Sequence, residues 1–135
     1  MKLENQVISL DLAKKLKELG AKQESIFQWI PYPDGSTKHG EWYLQLVPIR
    51  DGKGLYNMTG LSAYTVAELL ELMPEEMTDD TENSYSFTLT KAYDFWVATW
   101  ENGEYSTGEQ IEDRKASDCL AKMLIYLLEN DLCQV

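Results

Sequence analysis

Residues 84 to 100, SYSFTLTKAYDFWVATW, constrain the fold more than any other stretch of the chain. They are rich in aromatic and β-branched side chains, which suit a pleated, half-buried surface. Tyr85, Phe87 and Leu89 alternate with hydroxyl residues, the period of two that sends successive side chains to opposite faces of a strand. The stretch reads as two strands, SYSFTLTKAY and DFWVATW, and strands joined by short turns favour antiparallel pairing. After Trp100, ENGEY carries an Asn-Gly pair, a strong signal for a tight hairpin turn, so a short fifth strand is expected around Tyr105.

Upstream, SIFQWIPYP and EWYLQLVPI read as an earlier hairpin joined by the turn-rich DGSTKHG. Phe27 and Trp29 alternate with Ile26, Gln28 and Ile30, so both faces of the first strand should be at least partly buried. Trp42, Leu44 and Leu46 fall on one face of the second. RDGKGLYNMTG is then a glycine-rich loop, and EEMTDDTEN an exposed acidic one.

Three helices complete the order. Ser9 can cap the first, Asp11 suits its positive end, Leu12, Ala13, Leu16 and Leu19 form its apolar stripe, and Gly20 ends it. Thr65 and Glu68 have the spacing of a capping box for the second, whose apolar face is Val66, Leu69, Leu70 and Met73; Pro74 stops it. The third covers roughly residues 114–130, with Ala116, Leu120, Met123, Leu124, Leu127 and Leu128 facing a core and Glu109, Glu112 and Asp113 near its positive end. The expected fold is α+β: one domain over residues 1–135, in the order α-β-β-α-β-β-α, with an antiparallel sheet of four to five strands and three helices mainly on one face.

The stretch LKELGAKQESIFQWI resembles a helix-turn-helix at first sight. Leu16, however, stands where that family carries a small residue before the turn glycine, and Lys15 stands where it carries a core-facing one. QESIFQWI has no Lys or Arg with which to hold phosphates or read guanine. The net charge of −11 points the same way. Residues 1–53 hold eight Lys and Arg against seven Asp and Glu, whereas residues 54–135 hold four against sixteen. Direct nucleic-acid binding is therefore not expected.

No stretch of the sequence matches a GxSxG elbow, a phosphate-binding GxxxxGK[ST] loop, an HExxH helix or a GxGxxG turn. His39 stands alone in a turn. Cys119 and Cys133 are not spaced as zinc ligands, and Cys119 has only Lys122 nearby to activate it. PEEMTDDTEN lacks the central glycine and alternating ligands of a calcium loop. No catalytic residue, cofactor or metal is assigned. The candidate surface is one of recognition: Tyr32, Trp42, Trp100 and Tyr105 as aromatic contacts, and Glu75, Glu76, Asp79 and Asp80 as an acidic rim. No apolar run is long enough for a membrane helix, and MKLENQVISL has no secretory h-region, so the cytoplasm is the expected compartment.

Three stretches together, SLDLAKKLKELGAKQESIFQW, LSAYTVAELLELMP and AKMLIYLLEN, resemble a group of small proteins of unknown function encoded in phages and prophage regions of bacteria. The resemblance implies a bacterial host cell and supplies no activity or catalytic residue. The expected function is that of a non-enzymatic accessory protein that binds a host or phage protein; a homo-oligomer is compatible with the same reading. The alternative is an acidic decoy that mimics nucleic acid and occupies a nucleic-acid-binding protein.

Overall fold

The structure, a computed structural model, describes residues 1–31, 42–46, 49–50, 53–54, 60–78, 81–103 and 109–133. The chain is α+β. A single 3-10 turn at Leu3–Asn5 precedes α1 (Leu10–Glu18), β1 (Phe27–Pro31) and β2 (Trp42–Leu46). Next come the short strands β3 (Ile49–Arg50), β4 (Lys53–Gly54) and β5 (Leu61–Ser62), then α2 (Val66–Leu72). Strands β6 (Met77–Thr78), β7 (Ser84–Ala92), β8 (Phe95–Glu101) and β9 (Ile111–Asp113) lead to α3 (Ala116–Glu129).

The strands are divided between antiparallel sheets ordered β2-β1-β5 and β6-β7-β8-β9, with β3 and β4 forming a separate pair. Short strands line the long ones: β5 lies on the outer side of β1, and β6 and β9 flank the β7–β8 hairpin on both sides. Leu61 and Ser62 pair with Trp29 and Gln28 on the free side of β1. Met77 and Thr78, expected in an exposed loop, pair with Tyr85 and Ser84. Ile111, Glu112 and Asp113 pair with Ala98, Val97 and Trp96 on the far side of β8. The strand expected around Tyr105 lies outside the described residues.

Helix ends show which sequence signals act locally. The capping box at α2 forms as expected: Glu68 N–H donates to Thr65 Oγ1 at 3.3 Å, and Thr65 N–H donates to Glu68 Oε2 at 2.7 Å. Ser9 precedes α1, but its side chain makes no capping bond; its backbone N–H donates instead to Asp118 Oδ1 at 2.7 Å. Gly20 ends α1 at φ +88°, with Gly20 N–H bonded to Lys17 O and Ala21 N–H to Leu16 O, the paired closure that satisfies the last carbonyls.

Helix α3 packs on β8 and β9 and against α1 and α2, while α1 packs on β5. One apolar cluster joins them: Leu16, Leu69, Trp100, Leu120, Met123, Leu124 and Leu127 are fully buried in it. Each such side chain contributes about 1.5–3 kcal/mol by leaving water. On β1, Gln28 and Ile30 are buried and Phe27, Trp29 and Pro31 half-buried, so both faces of the strand are covered. On β2, Trp42 and Leu44 are half-buried while Leu46 is 59% exposed.

Candidate functional site

The segment between α1 and β1 is stitched to the start of α2 by short polar side chains. Gln23 Nε2 donates to Ala21 O at 2.9 Å, and Gln23 Oε1 accepts the Ser62 N–H at 2.8 Å. Ser25 N–H donates to Ser62 Oγ at 3.2 Å. The Ser25 hydroxyl, with one proton, lies 3.0 Å from Glu68 Oε2 and 3.2 Å from Ala63 O. Ile26 N–H donates to Glu68 Oε1 at 3.1 Å. The carboxylate that caps α2 therefore also holds the entry to β1. The residues from 16 to 30 run as helix, turn, extended segment and strand, which leaves no second helix to enter a DNA groove.

Beside this network lies a cleft of about 500 Å³ lined by Lys22, Glu24, Ser25, Tyr64, Glu68, Glu71 and Leu72. Tyr64 occupies the position before the α2 cap and is 4% exposed. Its hydroxyl is buried, with the Ser62 side chain close enough to act on it but not in good hydrogen-bonding geometry. Burial pushes its pKa up to about 12 against the lowering pull of the Ser62 side chain, and the charges of Glu68 and Glu24 add to the rise. At neutral pH it is a protonated hydroxyl. Glu24, Glu71 and Lys22 are exposed at the cleft.

A second cleft, of about 560 Å³, is bounded by Met1, Asn5, Gln6, the first residues of α2, Trp96, Arg114, Lys115 and Ala116. Of its lining residues, Lys115 ties the start of α3 to the rest of the chain, and Lys122 and Asp113 make a second tie nearby. Lys115 Nζ reaches Asp118 Oδ2 at 3.2 Å and Glu4 O at 3.1 Å. Lys122 Nζ pairs with Asp113 Oδ2 at 2.6 Å, and Asp113 Oδ1 accepts the Lys115 N–H at 2.8 Å. Partial burial pulls the Asp113 pKa upward, but those bonds and the two ammonium charges outweigh it and hold the carboxyl below its ordinary value. Cys119 is fully buried, its thiol 3.5 Å from Trp96 O and 3.4 Å from Ile111 O. Burial pushes its pKa up to about 11, so it is no nucleophile at neutral pH.

Of the residues expected to form a recognition surface, half fall among the described residues. Tyr32, Asp79, Asp80 and Tyr105 lie outside the described residues. Glu75 and Glu76 are exposed between α2 and β6. Trp42 is half-buried on β2, with Lys14 Nζ 5.4 Å from its ring centroid, a cation–π distance. Trp100 is a correction: it is fully buried and packs against Phe87, ring centroids 5.3 Å apart, because it faces the core cluster. It offers nothing to a partner.

Sequence reasoning overlooked Tyr93. Ala92 pairs with Phe95, so Tyr93 and Asp94 alone turn the β7–β8 hairpin. Tyr93 is 95% exposed and sits at φ +56°. A break in the alternation between Ala92 and Phe95 was the signal, but it gives the turn and not the exposure. Among the described residues, no three His, Cys, Asp or Glu side chains gather as metal ligands, and no helix is long and apolar enough to cross a membrane. Comparisons with protein-family models, curated proteins and solved structures find no match.

Proposed function

We propose that this chain is a phage- or prophage-type accessory protein that acts in the cytoplasm of a bacterial host by binding a host or phage protein, without chemistry of its own. The observation that carries this reading is Tyr93. A bulky residue in the left-handed region costs roughly 1–2 kcal/mol, which a glycine would recover. The ring projects into water, so no packing inside the chain offsets that strain. Strain of this kind gathers at functional positions. Tyrosine is also among the residues that most often dominate protein interfaces, since a rigid ring brings area and a polar tip together.

The decoy reading has less support. Glu68, Asp113, Asp118 and Glu129, all in the acidic part of the chain, are held by internal hydrogen bonds or ion pairs and are not free to imitate phosphates.

The test is photocrosslinking in intact bacterial cells that carry the phage or prophage source of the chain. A benzophenone amino acid replaces Tyr93 in one variant and the exposed Glu4 in another. Position 93 should give a discrete heavier species that position 4 does not. Indistinguishable labelling at the two positions would refute the reading. Tyr93→Gly should raise the melting temperature while weakening association with the crosslinked partner.

A further inference from the structure

We propose that the outer edge of β7 is a docking site for an extended segment of the partner protein, which joins the sheet as an antiparallel strand with a carboxylate opposite Lys91. Tyr93 and Asp94 alone turn the hairpin, so Ala92 and Phe95 are its closing hydrogen-bonded pair. Bonded pairs alternate along an antiparallel ladder, so Thr90, Thr88 and Ser86 bond to β8. Phe87, Leu89 and Lys91 therefore turn their N–H and C=O groups the other way. On that side β6 reaches only Ser84 and Tyr85. No described residue bonds to the outward groups of Phe87, Leu89 or Lys91. Such a row is a template for strand addition.

Open edges are commonly blunted by proline, by a bulge or by charge. The pairing from Ser86 to Ala92 is one-to-one, without a bulge, and β7 contains no proline. Its one charge is Lys91 at the hairpin end, so the stretch from Ser86 to Thr90 is unguarded. Lys91 is exposed, with its Nζ 5.8 Å from the Trp96 ring centroid. Phe87 and Leu89 are half-buried and share its face of the sheet. At the other end of the open stretch, the exposed Glu75 and Glu76 lead into β6. A matching antiparallel segment carries a carboxylate opposite Lys91, apolar residues opposite Leu89 and Phe87, and then a cation toward Glu76. A second copy of the chain does not fit. Its β7 has no Asp or Glu to set opposite Lys91, and each copy carries a net charge of −11. The site rests on the protein-binding reading only in taking the added strand from a protein.

The experiment is amide hydrogen exchange and a resonance titration on the full chain. In the chain alone, the Phe87 and Leu89 amides should exchange faster than those of Thr88 and Thr90. Equal protection would overturn the proposal, and protection that grows with protein concentration would do so by assigning the edge to a second copy. The probe is acetyl-Glu-Thr-Val-Thr-Phe-Lys-amide, which should move the β7 signals and slow exchange at Leu89. N-methylation of its valine, whose N–H would face β7, should abolish binding, whereas N-methylation of its second threonine should not. Exchanging its Glu and Lys should weaken binding about fivefold. Lys91→Glu should weaken the original peptide and strengthen the exchanged one, opposite changes that a loss of folding would not produce. Absence of binding, indifference to the site of N-methylation, or indifference to the charge exchange would each overturn the proposal. Crosslinking at Tyr93 reads the partner in cells, so it can succeed or fail independently of these titrations.

Discussion

Ser9 and Asp118 stand 109 positions apart in the chain and are joined by a 2.7 Å hydrogen bond from the serine backbone N–H to Asp118 Oδ1. The other carboxylate oxygen of Asp118 pairs with Lys115 at 3.2 Å, and both side chains are mostly buried. One carboxylate thus connects the lead-in to α1 with the first turn of α3. Removing it strands the Ser9 backbone donor and leaves the Lys115 ammonium with only the Glu4 carbonyl. Asp118→Ala should lower stability by about 2 kcal/mol, the range for a hydrogen bond to a charged group, whereas Asp118→Asn should retain part of it. Urea unfolding monitored by tryptophan fluorescence measures both; an alanine variant within experimental error of the parent would refute the assignment.

The C-terminus of α3 repeats the closure of α1 with a less suitable residue. Leu132 N–H bonds to Leu127 O at 2.8 Å and Asp131 N–H to Leu128 O at 3.3 Å, with Asp131 at φ +54° where α1 has Gly20. Asp131→Gly should stabilise the protein by about 1 kcal/mol, or a melting-temperature rise of roughly 4 °C. The mirror substitution, Gly20→Ala, should destabilise, although a Cβ at Gly20 would meet no atom within 4 Å, because the strain is in the backbone. Scanning calorimetry of the two variants should therefore give shifts of opposite sign.

Glu68 extends a local cap into a longer-range tie, and the two parts separate by mutation. Thr65→Ala removes only the acceptor for Glu68 N–H and should cost about 1 kcal/mol. Glu68→Ala releases the N–H groups of Thr65 and Ile26 as well as the Ser25 hydroxyl and should cost roughly 2–3 kcal/mol. Amide hydrogen exchange gives the clearer readout: Ile26 should lose protection in the Glu68 variant and keep it in the Thr65 variant. Equal loss in both would mean that the tie to β1 does not run through the carboxylate.

What the sequence disclosed and what it withheld divide along the range of the forces involved. Thr65 and Glu68 announce the start of α2 because each completes a backbone group within the same turn. The alternation in residues 84–100 announces β7 and β8 because facing side chains are set by the pleat itself. Ser9 looks like an equally good cap, yet its hydroxyl makes no capping bond, and its tie to the fold is a backbone N–H donated to Asp118 of α3, which no local pattern announces. The two-residue strands β5 and β6 carry no periodicity to read; the edges of β1 and β7 recruit them. Trp42 and Trp100 occupy similar aromatic strands, but only the packing of the helices decides that one is half-exposed and the other wholly enclosed. Of the candidate site, the acidic character was visible, whereas the cleft over Tyr64 was not, because Lys22, Tyr64 and Glu71 are brought together by the tie between β1 and α2.

Stability should fall at both ends of the pH range, for separable reasons. Asp113 is held below its ordinary pKa of 3.8, so its contribution is present above that value and is lost as pH falls through the folded one. Lys122, whose pKa is raised by the hydrogen bond it donates to Asp113, contributes below 10.5 and loses that contribution as pH rises through the folded value. Tyr64 acts in the same alkaline direction: raised from 10.0 to about 12, it favours the folded state below the lower value and ceases to do so as pH passes the upper. Salt distinguishes the two alkaline effects, because the Lys122 side chain is 44% exposed and its pairing is screened, while the enclosed hydroxyl of Tyr64 is not. Urea midpoints collected across pH should show Asp113→Asn flattening the acid limb and Tyr64→Phe flattening the alkaline limb at high salt. An absorbance titration of the native protein should show a late-ionising phenol near pH 12 that Tyr64→Phe removes, and an unchanged titration in that variant would contradict the burial of the Tyr64 hydroxyl.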